Sequence, residues 1–186
     1  MTKYWQRVGV EHSRPMPIVA GTLALWGREQ GDAPPLPWSW VVDRLQAAED
    51  YWLVTAGPRG PAPRPVWGLW LEERLVLSVG SSTHWRNLEG SDRVAVHLGD
   101  AHDVVIVEGT AHRETDPKQL ARIVAPYNQK YDWNWEPEQP FGAILDVEPL
   151  VVMAWRAAAT EDAQTSPFPL AAGKWTLRAD AAATDA

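Results

Sequence analysis

The clearest helical pattern in the chain is early: Trp38, Val41, Val42, Leu45 and Ala48 fall at i, i+3, i+4, i+7 and near i+10. With Asp43, Arg44, Gln46 and Glu49 facing water, this predicts an amphipathic helix of about three turns. Strand-type runs follow in quick succession at 51–56, 64–71 and 74–79, separated by Gly57-Pro58-Arg59-Gly60-Pro61 and Glu72-Glu73. The Gly and Pro content marks the first of these separators as a turn. A short helix at about 83–89 precedes two more strands, 93–98 and 104–112, split by Gly99-Asp100-Ala101-His102. Strands this close, without long helices between them, predict an antiparallel sheet or barrel.

Asp116-Pro117 reads as an N-cap followed by Pro at the first helical position. That helix carries Leu120, Ile123 and Val124, and Pro126 is expected to kink or end it before the aromatic run of residues 127–135. The last clear strands are 141–146 and 150–155, with a short one at 174–177. Residues 1–37, holding Pro15, Pro17, Pro34, Pro35 and Pro37, read as an irregular arm partly ordered against the body. The body spans 38–178, with a linker at 157–172, and the Ala/Asp-rich end at 179–186 is expected to be disordered.

Composition narrows the function classes. At 186 residues, 45% of them apolar and 22% charged, the chain is one ordinary globular domain. Its net charge of −7, with no Lys/Arg block, argues against nucleic acid or an anionic membrane as partner. No cysteine means no disulfide framework, Cys-zinc site or thiol nucleophile, which fits a cytoplasmic location. The apolar run at 18–26 is far short of a membrane span and follows no leader pattern. The 12 tryptophans are the unusual count, and they suit either packing and a dimer contact or a pocket for a planar ligand.

One segment concentrates candidate chemistry. The run Leu75-Val76-Leu77-Ser78-Val79-Gly80 leads into Ser81-Ser82-Thr83-His84-Trp85-Arg86-Asn87-Leu88. Three hydroxyls, free N–H groups at a helix start, an Arg and a His make a phosphate cradle. The segment Asp103-Val104-Val105-Ile106-Val107-Glu108-Gly109-Thr110-Ala111 is a strand ending in Glu-Gly, where a bend is expected. Together the two point to a flavin-type cofactor on a small barrel. There is no Gly-x-Gly-x-x-Gly, Walker loop or Gly-x-Ser-x-Gly elbow. The five histidines show no metal-ligand spacing: His97 and His112 read as sheet residues and His102 as a solvated turn residue. No protein-side catalytic group stands out, which suits chemistry carried by a cofactor.

These segments, in this order, resemble the pyridoxamine 5'-phosphate oxidase-like family of flavin-binding split β-barrels, especially its actinobacterial members. The resemblance rests on the helix, Tyr51-Trp52-Leu53-Val54-Thr55, the Gly/Pro turn, Arg64-Pro65-Val66-Trp67-Gly68-Leu69-Trp70, Ser82-Thr83-His84-Trp85-Arg86-Asn87-Leu88 and Val107-Glu108-Gly109-Thr110-Ala111. It covers roughly residues 38–156, and weakly Lys174-Trp175. It implies a mainly β (α+β) fold, a six-stranded antiparallel split barrel with flanking helices, assembled as a homodimer with cofactor at the interface. By the same resemblance, Arg64, Pro65, Val66 and Trp67 would line an isoalloxazine ring. Ser78, Val79, Gly80, Ser81 and Ser82 would wrap the ribityl chain and phosphate. His84, Trp85, Arg86 and Asn87 would sit at the phosphate end, and Lys174 and Trp175 would reach in from the other subunit.

The family commonly has Lys where this chain has His84, and a histidine with an ordinary pKa of about 6.5 is mostly neutral at pH 7. Relatives also often carry Arg where Lys174 and Thr176 stand. Three functions follow: an FMN-dependent oxidoreductase passing hydride to a small, planar substrate; the same barrel using 8-hydroxy-5-deazaflavin; and a flavin-binding or storage module without turnover.

Overall fold

The computed structural model describes residues 18–21, 23, 36–136, 142–156 and 171–177. Its elements, in chain order, are β1 (Ile18–Gly21), α1 (Trp38–Ala47), β2 (Asp50–Gly57), β3 (Gly60–Leu71), β4 (Arg74–Val79), α2 (Ser82–Gly90), β5 (Arg93–His97), β6 (Asp103–Arg113), α3 (Pro117–Tyr131), β7 (Ala143–Arg156) and β8 (Ala171–Leu177). All strand pairings are antiparallel. The order β7-β4-β3-β2-β5-β6 closes on itself because β6 also pairs with β7, giving a six-stranded barrel.

The barrel is split because β7 is long enough to serve two neighbours along one edge. Its first half, through Val147, pairs with β4, and its second half, from Val151, pairs with β8. β8 in turn pairs with β1, so part of the N-terminal arm is a strand. The rest of the arm up to residue 17, most of the linker and the tail from residue 178 lie outside the described residues.

Two sequence expectations change in the second half of the chain. Residues 141–146 and 150–155 were expected as separate strands; the structure has one continuous β7, and Phe141 lies outside the described residues. Pro149 does not break it because the register shifts there: Glu108 faces Val151, Gly109 faces Pro149, and Leu150 is the extra residue of a bulge. Gly109 is needed at this point, since a Cβ would lie 2.2 Å from the Glu148 carbonyl oxygen. The bend expected at Glu108-Gly109 is this irregularity.

The second change is that α3 runs through Pro126 to Tyr131. Asp116 caps it as expected, its carboxylate accepting from the Lys118 amide. The helix ends instead at Asp132, which takes the left-handed conformation. Asn128 then exchanges two hydrogen bonds with the Trp135 backbone, at 2.8 and 3.0 Å, and folds the aromatic segment back onto Tyr127.

Helices cover the barrel on different sides. Val41 and Leu45 of α1 enter the main core with Tyr51, Leu53, Leu75, Leu77, Val96 and Val105. Ile123, Tyr127 and Trp135 pack on Leu69, Val76 and Ile144, so α3 covers the outer face of β3, β4 and the first half of β7. The Tyr131 hydroxyl is inserted where the start of β2 meets the last third of β3: it accepts from the Gly68 amide and reaches the Glu49 carbonyl, each at 2.8 Å. Lys130 donates to the Gly68 carbonyl at 2.6 Å, and burial lowers its pKa to about 8 against the raising effect of Asp50 and Glu49. Among the described residues, no helix is long and apolar enough to cross a membrane.

Trp175 is 4% exposed and belongs to this core, its ring centroid 5.5 Å from that of Trp38 and resting over Gly173. Trp175→Ala is therefore expected to lower unfolding free energy by about 3–5 kcal/mol, measurable by chemical denaturation.

Candidate functional site

The β2–β3 hairpin carries three alternate prolines, Pro61, Pro63 and Pro65, inside a strand. Among the described residues, Gly60–Val66 of β3 pair only with β2, because pairing with β4 begins at Trp67. The two-residue hairpin loop makes Gly57 and Gly60 a hydrogen-bonded pair, which directs the three proline nitrogens to the open edge. The missing N–H groups fall where no strand asks for them, and the sequence expectation of a turn through Pro61 becomes a strand beginning at Gly60. Residues 62, 64 and 66 point to the opposite face from the prolines, so Arg64 leans toward α2.

Between this hairpin and α2 lies a cavity of about 440 Å³. Arg59, Arg64, Thr83, Arg86, Asn87 and Glu89 contribute its polar walls. None of the three arginines makes an ion pair among the described residues. Arg64 donates to the Pro63 carbonyl at 2.7 Å, and Arg86 folds over the helix start toward Ser82 and Thr83. Ser81, the N-cap residue, makes no side-chain cap bond, so first-turn amides of α2 remain available. A chain of net charge −7 thus concentrates three guanidinium groups, opposed by Glu89, around one concave surface. This donor set fits a phosphate monoester.

Of the residues expected at the site, Arg64, Arg86 and Asn87 line the cavity. His84 does not: it is fully buried on the inner side of α2, with Nδ1 2.9 Å from the Thr55 hydroxyl. Asn87 donates to the same hydroxyl at 3.0 Å, over Gly57, where a Cβ would collide with it. Either neutral tautomer of His84 leaves Nε2 buried without a partner among the described residues. Desolvation, and next the nearby Arg64 charge, hold the His84 pKa below its ordinary value. The imidazole therefore brings no positive charge to the cavity.

Pro65 and Trp67 share the outer barrel face, Trp67 being 49% exposed, and Val66 points inward, half-buried. Ser78 and Val79 are buried in β4, Gly80 and Ser82 are exposed, and Ser81 is half-buried. Trp85 donates to the Val79 carbonyl at 3.1 Å under the Arg113 guanidinium. On β8, Lys174 faces outward opposite Met153, whereas Trp175 points into its own chain's core. Sequence reasoning missed Arg59 and Glu89; a basic residue at the tip of a tight turn, five positions before Arg64 on the strand that follows, carries no local motif.

The sequence profile of pyridoxamine 5'-phosphate oxidase matches residues 41–156, and the chain belongs to that family. A conserved hypothetical protein of Mycobacterium tuberculosis is similar in structure, with 18% identity and a TM-score of 0.58 over 69% of this chain and 90% of that one. General stress protein 26 of Bacillus anthracis is similar at 19% identity and a TM-score of 0.52, over 62% and 91% of the two chains. A candidate 5-nitroimidazole antibiotic resistance protein of Bacteroides thetaiotaomicron reaches 0.56 at 11% identity, over 92% and 99%. At these identities the likeness concerns the fold. Among curated proteins, none matches this chain.

The buried His84 sets an acid limit on stability. Its pKa is lower folded than unfolded, so the unfolded chain binds more protons in the interval between the two. Its contribution is expected to be complete above about pH 6.5 and lost as pH falls below it. Unfolding free energies of the wild type and His84→Gln, compared between pH 7.5 and 5, should converge toward the acid end.

Proposed function

We propose that this chain is a flavin-dependent oxidoreductase that holds FMN between the β2–β3 hairpin and α2 and passes hydride to a small, planar substrate. The observation that carries the reading is the convergence of Arg59, Arg64 and Arg86 with Thr83 and Asn87 on one cavity. Arg64 and Arg86 would bind the phosphate as forked donors, Thr83 and the first-turn amides of α2 would complete its hydrogen bonds, and Asn87 is fixed for its role by Thr55. Ser78 to Ser82 would follow the ribityl chain, with the backbone of Pro65, Val66 and Trp67 along the ring. Bound there, the isoalloxazine would supply two-electron redox chemistry. The residues of the cavity bind and orient; none besides Glu89 is placed to move a proton.

Membership of the family and the cavity's charge support this reading. A second reading, a flavin-binding module without turnover, is favoured by His84, which is withdrawn into the barrel where relatives commonly offer Lys. The cofactor expected is FMN, with 8-hydroxy-5-deazaflavin as the alternative, and the mass of the molecule released by heating separates them. FMN titrated into the apoprotein should bind at least tenfold less tightly to Arg64→Ala and Arg86→Ala, matching loss of one charged hydrogen bond of about 1.5–3 kcal/mol. Riboflavin, which lacks the phosphate, should bind all three proteins alike; an equal loss for riboflavin would refute phosphate binding in the cavity. Reduction of bound flavin by NAD(P)H followed by reoxidation with an acceptor distinguishes the enzyme from the module.

The reading includes a homodimer. Outside the area under α3, the outer face presents Trp52, Val54, Pro63, Pro65, Ala95, Ile106 and Met153 on adjacent strands. Trp52 and Trp67 are the exposed large hydrophobic residues of the described chain, and Trp52 stacks on His97. An apolar face of this extent fits a self-complementary contact, with Lys174 at its margin reaching the second subunit. Trp52→Arg should shift sedimentation from dimer to monomer; a dimer unaffected by that change would assign the contact to another face.

A further inference from the structure

We propose that His112, Glu114 and Asp146 form a site for a divalent transition-metal ion where β6 hands over to α3. Nitrogen or carboxylate oxygen atoms of the three all lie within 4.8 Å of one another. The set is dispersed in sequence and is assembled by the antiparallel ladder. His112 stands directly opposite Asp146, and the Glu114 amide donates to the Ile144 carbonyl at 2.9 Å, extending the β6–β7 ladder past the end of β6. Side chains two apart on a strand share a face, so His112 and Glu114 project together beside Asp146. Arg113 between them goes to the other face, against Trp85, so the site is separate from the arginine-lined cavity.

Both carboxylates are already oriented, each by one oxygen. Oε1 of Glu114 accepts from the Asp116 amide at 2.7 Å, and Oδ1 of Asp146 accepts from Nε of Arg74 at 2.7 Å. Oε2 of Glu114 and Oδ2 of Asp146 remain for a cation, as does a ring nitrogen of His112. Outer hydrogen bonds of this kind hold ligands in place before the metal arrives. The charges agree with a divalent ion: Glu114, Asp146 and Glu148 carry three negative charges, and Arg74, bonded to both Asp146 and Glu148, carries one positive. Arg122, the next cation along the adjoining cleft, is paired with Glu72.

One imidazole and two carboxylates favour Zn²⁺, Co²⁺ or Mn²⁺ over Ca²⁺, which prefers an all-oxygen shell. His112 is exposed and both carboxylates half-buried, so the ion has access and keeps open positions for water. A bound ion would fasten the β6–α3 junction to β7.

The test uses the full chain after treatment with a chelator. Titration with Co²⁺, read by its visible absorption, and with Zn²⁺, read by calorimetry, should show one ion per chain, bound well below millimolar concentration. His112→Ala and Glu114→Gln should each weaken binding at least tenfold and abolish the rise in melting temperature that Zn²⁺ gives the wild type. His102→Ala, which alters the exposed His102–Asp100 pair at 3.8 Å, should change nothing. Metal-free melting curves of the two variants establish that they fold. Wild-type protein that takes up no Co²⁺ below millimolar concentration, or variants that bind it as the wild type does, would overturn the site.

Discussion

Pairing of β6 with β7 is the constraint on which the rest of the molecule depends. Without it the six strands would be an open sheet with two exposed edges; with it every barrel strand has a neighbour on both sides for at least part of its length. Such closure demands a strand longer than its partners, and β7 meets that demand only because the bulge at Glu108/Gly109 absorbs Pro149. The close approach of the Glu148 carbonyl to Gly109 is the local expression of a global requirement: two long strands must stay in contact through a bend. The same length lets β8 and β1 attach beyond the barrel and bring Trp175 beneath Trp38.

Closure also determines which edge stays open. Among the described residues the first half of β3 has no partner on its β4 side, and the alternate prolines make that edge a poor template for another strand. What is left is a rigid ribbon with Arg59 at its tip and Arg64 on its helix-facing side, held against α2. The polar knot beneath it, Thr55 with His84 and Asn87, engages two side chains with one hydroxyl and leaves His84 Nε2 unpaired among the described residues. A buried neutral imidazole stabilises the packing of α2 on β2 while a charged one would not, so the arginines alone supply the cavity's positive charge.

The tryptophans divide by environment. Trp38, Trp70 and Trp175 pack around one another in or beside the main core. Trp133 and Trp135 fold back onto Tyr127 and Tyr131, with Trp133 also meeting the edge of Trp67 at 5.0 Å. Their main work is to seat α3, while Trp52 and Trp67 remain at the surface. Lys130, lying over the rings of Tyr51 and Tyr131, is kept in this aromatic setting by its bond to the Gly68 carbonyl.

Local patterns alone determined the helices at Trp38 and Pro117, the tight hairpins, the succession of strands along the chain and the presence of Arg86 and Asn87 near a helix start. Each of these depends on residues within a few positions of one another, through hydrophobic period, turn chemistry or capping. Only the tertiary structure decided that β7 is one strand, because a proline's effect depends on whether the partner strand can bulge around it. It alone decided that α3 passes through Pro126, since the packing of Ile123 and Tyr127 on the barrel outweighs one lost helical hydrogen bond. It turned His84 inward, which depends on Thr55 lying across from it, 29 residues earlier. It also placed His112 beside Asp146, because strand register sets which distant side chains meet, and no spacing along the chain records that register.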